Sequence, residues 1–225
     1  MLHAFITKRV RRILARDRLE HTNAKNEDAI TSMVFSPLAF MEAPQAMAAL
    51  DQLLDGAVGR RAAGRTVAQH EIHLWPAGLQ AVKLVGDGVS RCEPDLVAHF
   101  KFTTGPDLLV IGEMKWDWPM APGQLKREID REIAAVRSRW PGEQLPFVLS
   151  KYRYPGGIQG VECLTWVDVA NRLEACEETS PGRWACLVRQ FLELADVAGF
   201  GGFPQRLGPS LGSHNRFAFW SATDG

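Results

Sequence analysis

The sequence predicts a mixed α/β fold: a central sheet with an αβββαβ-type core, flanked by helices. Two features of the pattern predict it. Apolar residues recur at three- and four-residue steps near the start, around residues 122–140 and near the end, whereas residues 70–116 contain short β-branched and aromatic runs separated by turn residues. Size is the third: 225 residues, 46% of them hydrophobic, suit one large domain or two small ones. The order helix, three strands, helix, strand, strand, helix then implies a mixed sheet covered by helices, with no internal repeat.

The elements follow in chain order. Residues 1–25 are basic and amphipathic, with Leu2, Ile6, Val10, Ile13 and Leu14 at helical spacing. They form a basic arm that either contacts phosphate, lies on a membrane surface, or presents a solvated helix face. The next helix starts at Asn23 or Asn26 and runs to about Met41, with Ile30, Val34, Leu38 and Met41 as its stripe and Ser36-Pro37 as a break at which Ser36 caps a restart. Glu27 lies on the inward side of this helix, where a carboxylate needs a partner or a cation. Residues 43–66 suggest one further helix, ending near Gly56 or Gly64.

Strands are expected over 70–75, 93–102 and 107–116, a helix over 122–140, strands over 145–152 and 161–164, a helix capped by Thr165 to about Glu174, and a last helix over 183–198. Residues 26–200 make up the main domain, and residues 201–225, rich in Gly, Ser and Phe, form a tail or a docking strand.

Charge and cysteines narrow the class. The 26 Lys+Arg balance 26 Asp+Glu, which argues against a protein that coats nucleic acid or anionic lipid. That balance is uneven, because residues 1–25 hold seven bases against two acids, a local +5, and the remainder carries −5. No apolar run is long enough to span a membrane. Cys92, Cys163, Cys176 and Cys186 form no Cys-x-x-Cys pair, so they read as reduced thiols in a cytoplasm rather than a zinc site. No phosphate-cradling GxxxxGK[ST] loop and no GxSxG elbow is present.

The most informative stretch is Pro94-Asp95 followed by Glu113-Met114-Lys115. In an antiparallel hairpin, paired residue numbers share a constant sum, and a turn centred on Thr104 sets that sum near 208. Asp95 and Glu113 then face each other, and Lys115 shares their face. Two facing carboxylates repel unless a cation lies between them, and hard oxygen ligands select Mg²⁺, with Mn²⁺ as a substitute. Lys115 is placed to hold or deprotonate a water and to balance charge at a phosphate. Alternatively, Asp95 caps a turn, and Glu113 with Lys115 forms a surface pair worth at most about 1 kcal/mol. The run Leu108–Ile111 opposes the surface reading, because it makes the strand apolar on both faces.

These residues resemble the PD-(D/E)xK nuclease superfamily, over roughly residues 26–170. The resemblance implies a restriction-endonuclease-like fold and a metal-dependent nuclease hydrolysing phosphodiester bonds, in DNA more than RNA, in a bacterial and possible defence setting. It implies that Asp95 and Glu113 bind Mg²⁺ with help from the Met114 carbonyl, that Lys115 serves the water, that Glu27 completes the site, and that Gln124 orients Lys115 or a phosphate. Asp28 is the alternative helix acid, and Gln124 is alternatively a solvated first-turn residue. A homodimer or a partner protein is a further expectation. The competing reading is a non-catalytic module that binds nucleic acid or protein with the same fold. His99 lies on the Asp95 face as a structural histidine or a neighbour of the site; Lys151, Tyr152 and Arg153 either touch phosphate or form a solvated edge; Trp116 and Trp118 either line the cleft or pack in the core.

Overall fold

The computed structural model describes residues 23–82, 88–115, 121–154, 156–173 and 178–194. The basic arm up to residue 22, the tail, Trp116, Trp118 and Cys176 lie outside them.

Helix α1 (Asn23–Phe35) ends where Pro37 disfavours continued helix, and a 3₁₀ turn follows over Ser36–Phe40. The expected helix to Met41 is therefore shorter, and Ser36 is not its cap: Phe35 takes the N-cap position without a side-chain bond, and Ser36 Oγ shares a hydrogen bond of 3.2 Å with Ser32 Oγ. Residues 43–66 form two helices instead of one, α2 (Ala43–Leu53) and α3 (Ala57–Ala62). The break falls at Asp55 and Gly56, with φ of 58° and 75°, a left-handed conformation that glycine adopts without steric cost.

The main sheet contains β1 (Val67–Leu74), β4 (Leu96–Phe102), β5 (Leu108–Lys115), β6 (Glu143–Ser150) and β7 (Glu162–Thr165), adjacent in that order. The β1–β4 and β4–β5 pairs are antiparallel, and β5–β6 and β6–β7 are parallel, so the sheet is mixed. A small hairpin of β2 (Gln80–Val82) and β3 (Val89–Arg91) stands apart; it was not expected, because three-residue strands carry no readable alternation. Strand β4 begins at Leu96, not at residue 93, and Pro94 has no N–H to give a ladder.

Helix α4 (Pro122–Arg139) connects the parallel strands β5 and β6, as the βαβ rule requires. Helix α5 (Trp166–Arg172) opens with the expected Thr165 cap, which forms a full capping box with Asp168. The last helix, α6, spans Ser180–Leu194 and starts earlier than expected.

Side-chain alternation along β4 and β5 sorts two layers. Leu96, Ala98, Phe100, Leu108, Val110 and Met114 join Ile30 and Val34 of α1, Leu50 of α2 and Val188 of α6 in the larger core. Val97, Leu109 and Ile111 pack against Ala135 and Val136 of α4. Gly112 faces the larger core instead: a Cβ there would stand 2.4 Å from Phe147 Cζ, so only glycine lets that ring close over β5. Among the described residues, no helix is long and apolar enough to cross a membrane.

Candidate active site

The β4–β5 ladder pairs Leu96 with Gly112 and His99 with Leu109, residue numbers that sum to 208. The sequence-derived register therefore holds along the ladder, which ends at Leu96 and Gly112, one residue short of Asp95 and Glu113. Strand β5 is buried along its length up to Lys115, which rules out a surface Glu113–Lys115 pair. The Lys115 ammonium bonds the Glu113 carboxylate with side-chain exposures of only 15% and 6%.

Asp95 is 9% exposed and acts as a cross-strand acceptor, not a turn cap. Its Oδ2 accepts the Met114 backbone N–H at 2.7 Å, and its Oδ1 accepts the Trp75 indole N–H at 2.9 Å. Met114 thus meets Asp95 through its amide, while its side chain enters the larger core. Burial raises the Asp95 carboxyl above its ordinary range, although the Met114 amide, the Lys115 charge and the Trp75 indole pull the other way.

An Asp95→Asn variant puts a donor against one of those two buried donors. We expect it to cost about 1 to 3 kcal/mol of stability in urea unfolding. A loss below about 0.5 kcal/mol would contradict the two-donor arrangement.

Helix α1 brings its second turn, with Glu27 and Asp28, toward this end of β5. Glu27, half-buried, lies close enough for its charge to act on Lys115, and exposed Asp28 acts on Asp95. The charges of the two candidate helix acids thus act on different residues of the site. Gln124 is exposed in the first turn of α4. It stands four residues before Glu128 and eight before Glu132, and so on the same stripe of the helix.

Glu128 and Glu132 were missed in the sequence. One oxygen of each of Glu113, Glu128 and Glu132 lies within 4.8 Å of the others, the one such acidic group among the described residues. Asp95 stands beside this group and not in it. Glu132 is 4% exposed, is hydrogen-bonded to Glu113, and has an Oε2 that is buried without a partner. The readable signal was an acid inserted in the apolar stripe of α4, between Ile129 and Ile133.

Electrostatics here are dominated by burial. Burial, then the Glu132 and Asp95 charges, raise Glu113 well above the usual carboxylate range. Burial also pushes Glu132 up to about 8, reinforced by the Asp95 and Glu128 charges. For Lys115, burial alone favours the neutral amine, but the Glu113 carboxylate, then Asp95 and Glu27, more than offset it and raise its pKa. Lys115 is thus an ammonium ion. Cys92, a buried free thiol, is raised to about 11 by burial and then by the Glu132 charge.

His99 Nε2 bonds Asp107 Oδ2 at 2.7 Å and its ring lies against Trp140, four residues along β4 from Asp95. Arg153 pairs with Asp168 at 2.8 Å, and Tyr152 is exposed beyond the end of β6. An open polar cleft between α2, α5 and α6 is built from other residues, among which Asp51 accepts the Gly59 N–H and Asp55 pairs with Arg172.

Compared with known proteins, the chain matches no protein-family model, no curated protein and no solved structure. The class of protein it represents therefore rests on its mixed five-stranded sheet and on the acid–acid–lysine group at the end of β4 and β5.

Proposed function

We propose that the chain is a metal-dependent nuclease of the PD-(D/E)xK kind, with a restriction-endonuclease-like fold, that hydrolyses phosphodiester bonds in DNA more than in RNA. The observation that carries this reading is the buried convergence of Asp95, Glu113 and Lys115, with Glu27 acting on Lys115. The fold is compatible: a helix precedes the sheet, an antiparallel β4–β5 pair presents the acids, and α4 crosses to a parallel β6.

The donor set fits a hard divalent cation. It offers carboxylate oxygens in a sparsely solvated site, including an orphaned one on Glu132, and clustered acids whose mutual repulsion a cation would relieve. Asp95 and Glu113 would hold Mg²⁺ or Mn²⁺, which when bound supplies Lewis-acid charge neutralisation and a water of lowered pKa. The chain's own contributions are positional. Trp75 and the Met114 amide fix the Asp95 carboxylate, so its direction is set before any ligand arrives. Lys115, already protonated, holds a water by donating to it and balances charge at a phosphate; it is not the group that takes the water's proton.

The full-length chain incubated with single- and double-stranded DNA and RNA, with Mg²⁺ or Mn²⁺, is expected to cleave DNA, and Asp95→Ala and Glu113→Gln to stop it. Absence of cleavage, or cleavage that persists in both variants, would overturn the assignment.

One observation favours a second reading, a non-catalytic binding module. Both Asp95 oxygens and the Lys115 ammonium already have partners within the protein itself. Such a module binds nucleic acid without taking up Mg²⁺, and calorimetry with Mg²⁺ separates the two.

A further inference from the structure

We propose that Glu113, Glu128 and Glu132 form a second divalent-cation subsite, built between β5 and α4 and sharing Glu113 with the site described above. Two observations support it independently. The first is the convergence of three carboxylates from two elements, with oxygens within 4.8 Å of one another. The second is that the Glu132 side chain, which hydrogen-bonds Glu113, is 4% exposed and carries a buried Oε2 with no hydrogen-bond partner. A buried acceptor without a donor is a costly feature that a ligand can relieve.

The backbone explains why the three meet. A four-residue step puts Glu128 and Glu132 one turn apart on one side of α4. Leu125 and Ile129 pack beside Val148 of β6, and Ala135 and Val136 beside Ile111 of β5, so the helix lies along these two strands. Glu113 points to this layer because it has the parity of Leu109 and Ile111. Lys115 bonds Glu113 and leaves Glu128 and Glu132 without an ion pair among the described residues. A bound divalent cation displaces the proton that the Glu113–Glu132 hydrogen bond requires, and three carboxylates facing one ammonium then carry an excess negative charge that the cation matches. All-oxygen ligands select Mg²⁺ or Mn²⁺ over softer ions, and a third carboxylate favours Mn²⁺, since Mg²⁺ usually retains waters in place of protein ligands.

The subsite deepens the nuclease reading but is tested by binding alone. Mn²⁺ is titrated into the full-length chain, and free Mn²⁺ is counted by electron paramagnetic resonance. We expect two bound ions in the wild type and one in the Glu128→Gln, Glu132→Gln double variant. Circular dichroism checks the fold of that variant. Should it fail to fold, Glu128→Gln alone, at a half-buried position, is expected to weaken one of the two ions at least about ten-fold. Unchanged stoichiometry and affinity in these variants would overturn the subsite. So would a wild type that binds no ion, or only one that is lost in Asp95→Asn and kept in the double variant. Failure of the nuclease reading shows separately, as absent cleavage with two Mn²⁺ ions still bound.

Discussion

Lys115→Met is expected to lower DNA cleavage about a hundred- to a thousand-fold, the usual effect of removing one preorganised charge from a reacting centre. The same change should destabilise the protein, and by an amount that depends on pH. Lys115 is mostly buried and its ammonium bonds a Glu113 carboxylate that is only 5% exposed. Breaking a buried pair by removing one partner costs about 3 to 5 kcal/mol when the remaining charge cannot be neutralised. Here it can be, because burial already raises Glu113 well above its ordinary value. Without the ammonium, Glu113 takes up a proton more readily still, and it does so more easily at lower pH. Urea unfolding should therefore show a smaller loss at pH 6 than at pH 9, with cleavage lost at both. A variant that cleaves normally, or whose stability loss is equal at the two values, would contradict the buried ion pair as described.

The metal-free Glu132→Gln variant is expected to be more stable than the wild type at pH 8 to 9. An unfolded glutamate ionises near its ordinary 4.5, whereas folded Glu132 keeps its proton up to about 8. Between those values the folded state binds more protons, so wild-type stability falls as pH rises from about 4.5 to about 8 and is level beyond. The accumulated penalty is on the order of 3 to 5 kcal/mol. A neutral amide of the same shape removes it and can still donate to Glu113. Chemical unfolding in a chelator between pH 5 and 9 should give a falling curve for the wild type and a flatter one for the variant. Parallel curves would refute the assignment of the slope to Glu132.

Much of the site was readable because β-sheet geometry is arithmetic. Thr103-Thr104-Gly105-Pro106 marks the turn, a constant sum follows, and the ladder pairs of the structure share the sum of 208 that sets Asp95 against Glu113 on paper. The apolar run Leu108–Ile111 likewise predicted a strand buried on both faces. Helix α4 was legible from its stripe of Leu125, Ile129, Ile133 and Val136, and the Thr165 cap from local chemistry alone. The split of residues 43–66 was less so, because Gly56 ends a helix only when its φ becomes positive, and Ala-rich neighbours favour helix on either side.

Properties that depend on residues a few positions apart were thus set by the chain's local pattern: the mixed α/β class, the hairpin register, and the identity of Asp95, Glu113 and Lys115 as a group. The fold decided what depends on elements meeting across space. It gave Asp95 its two donors from Trp75 and Met114, brought Glu27 and Asp28 to different members of the group, and set Glu128 and Glu132 against Glu113. Periodicity says which side of a helix is buried, but the rotation and height of α4 over the sheet are fixed by packing against Val97, Leu109, Ile111 and Val148. That packing, not the spacing of acids in the sequence, puts the third and fourth carboxylates beside the hairpin.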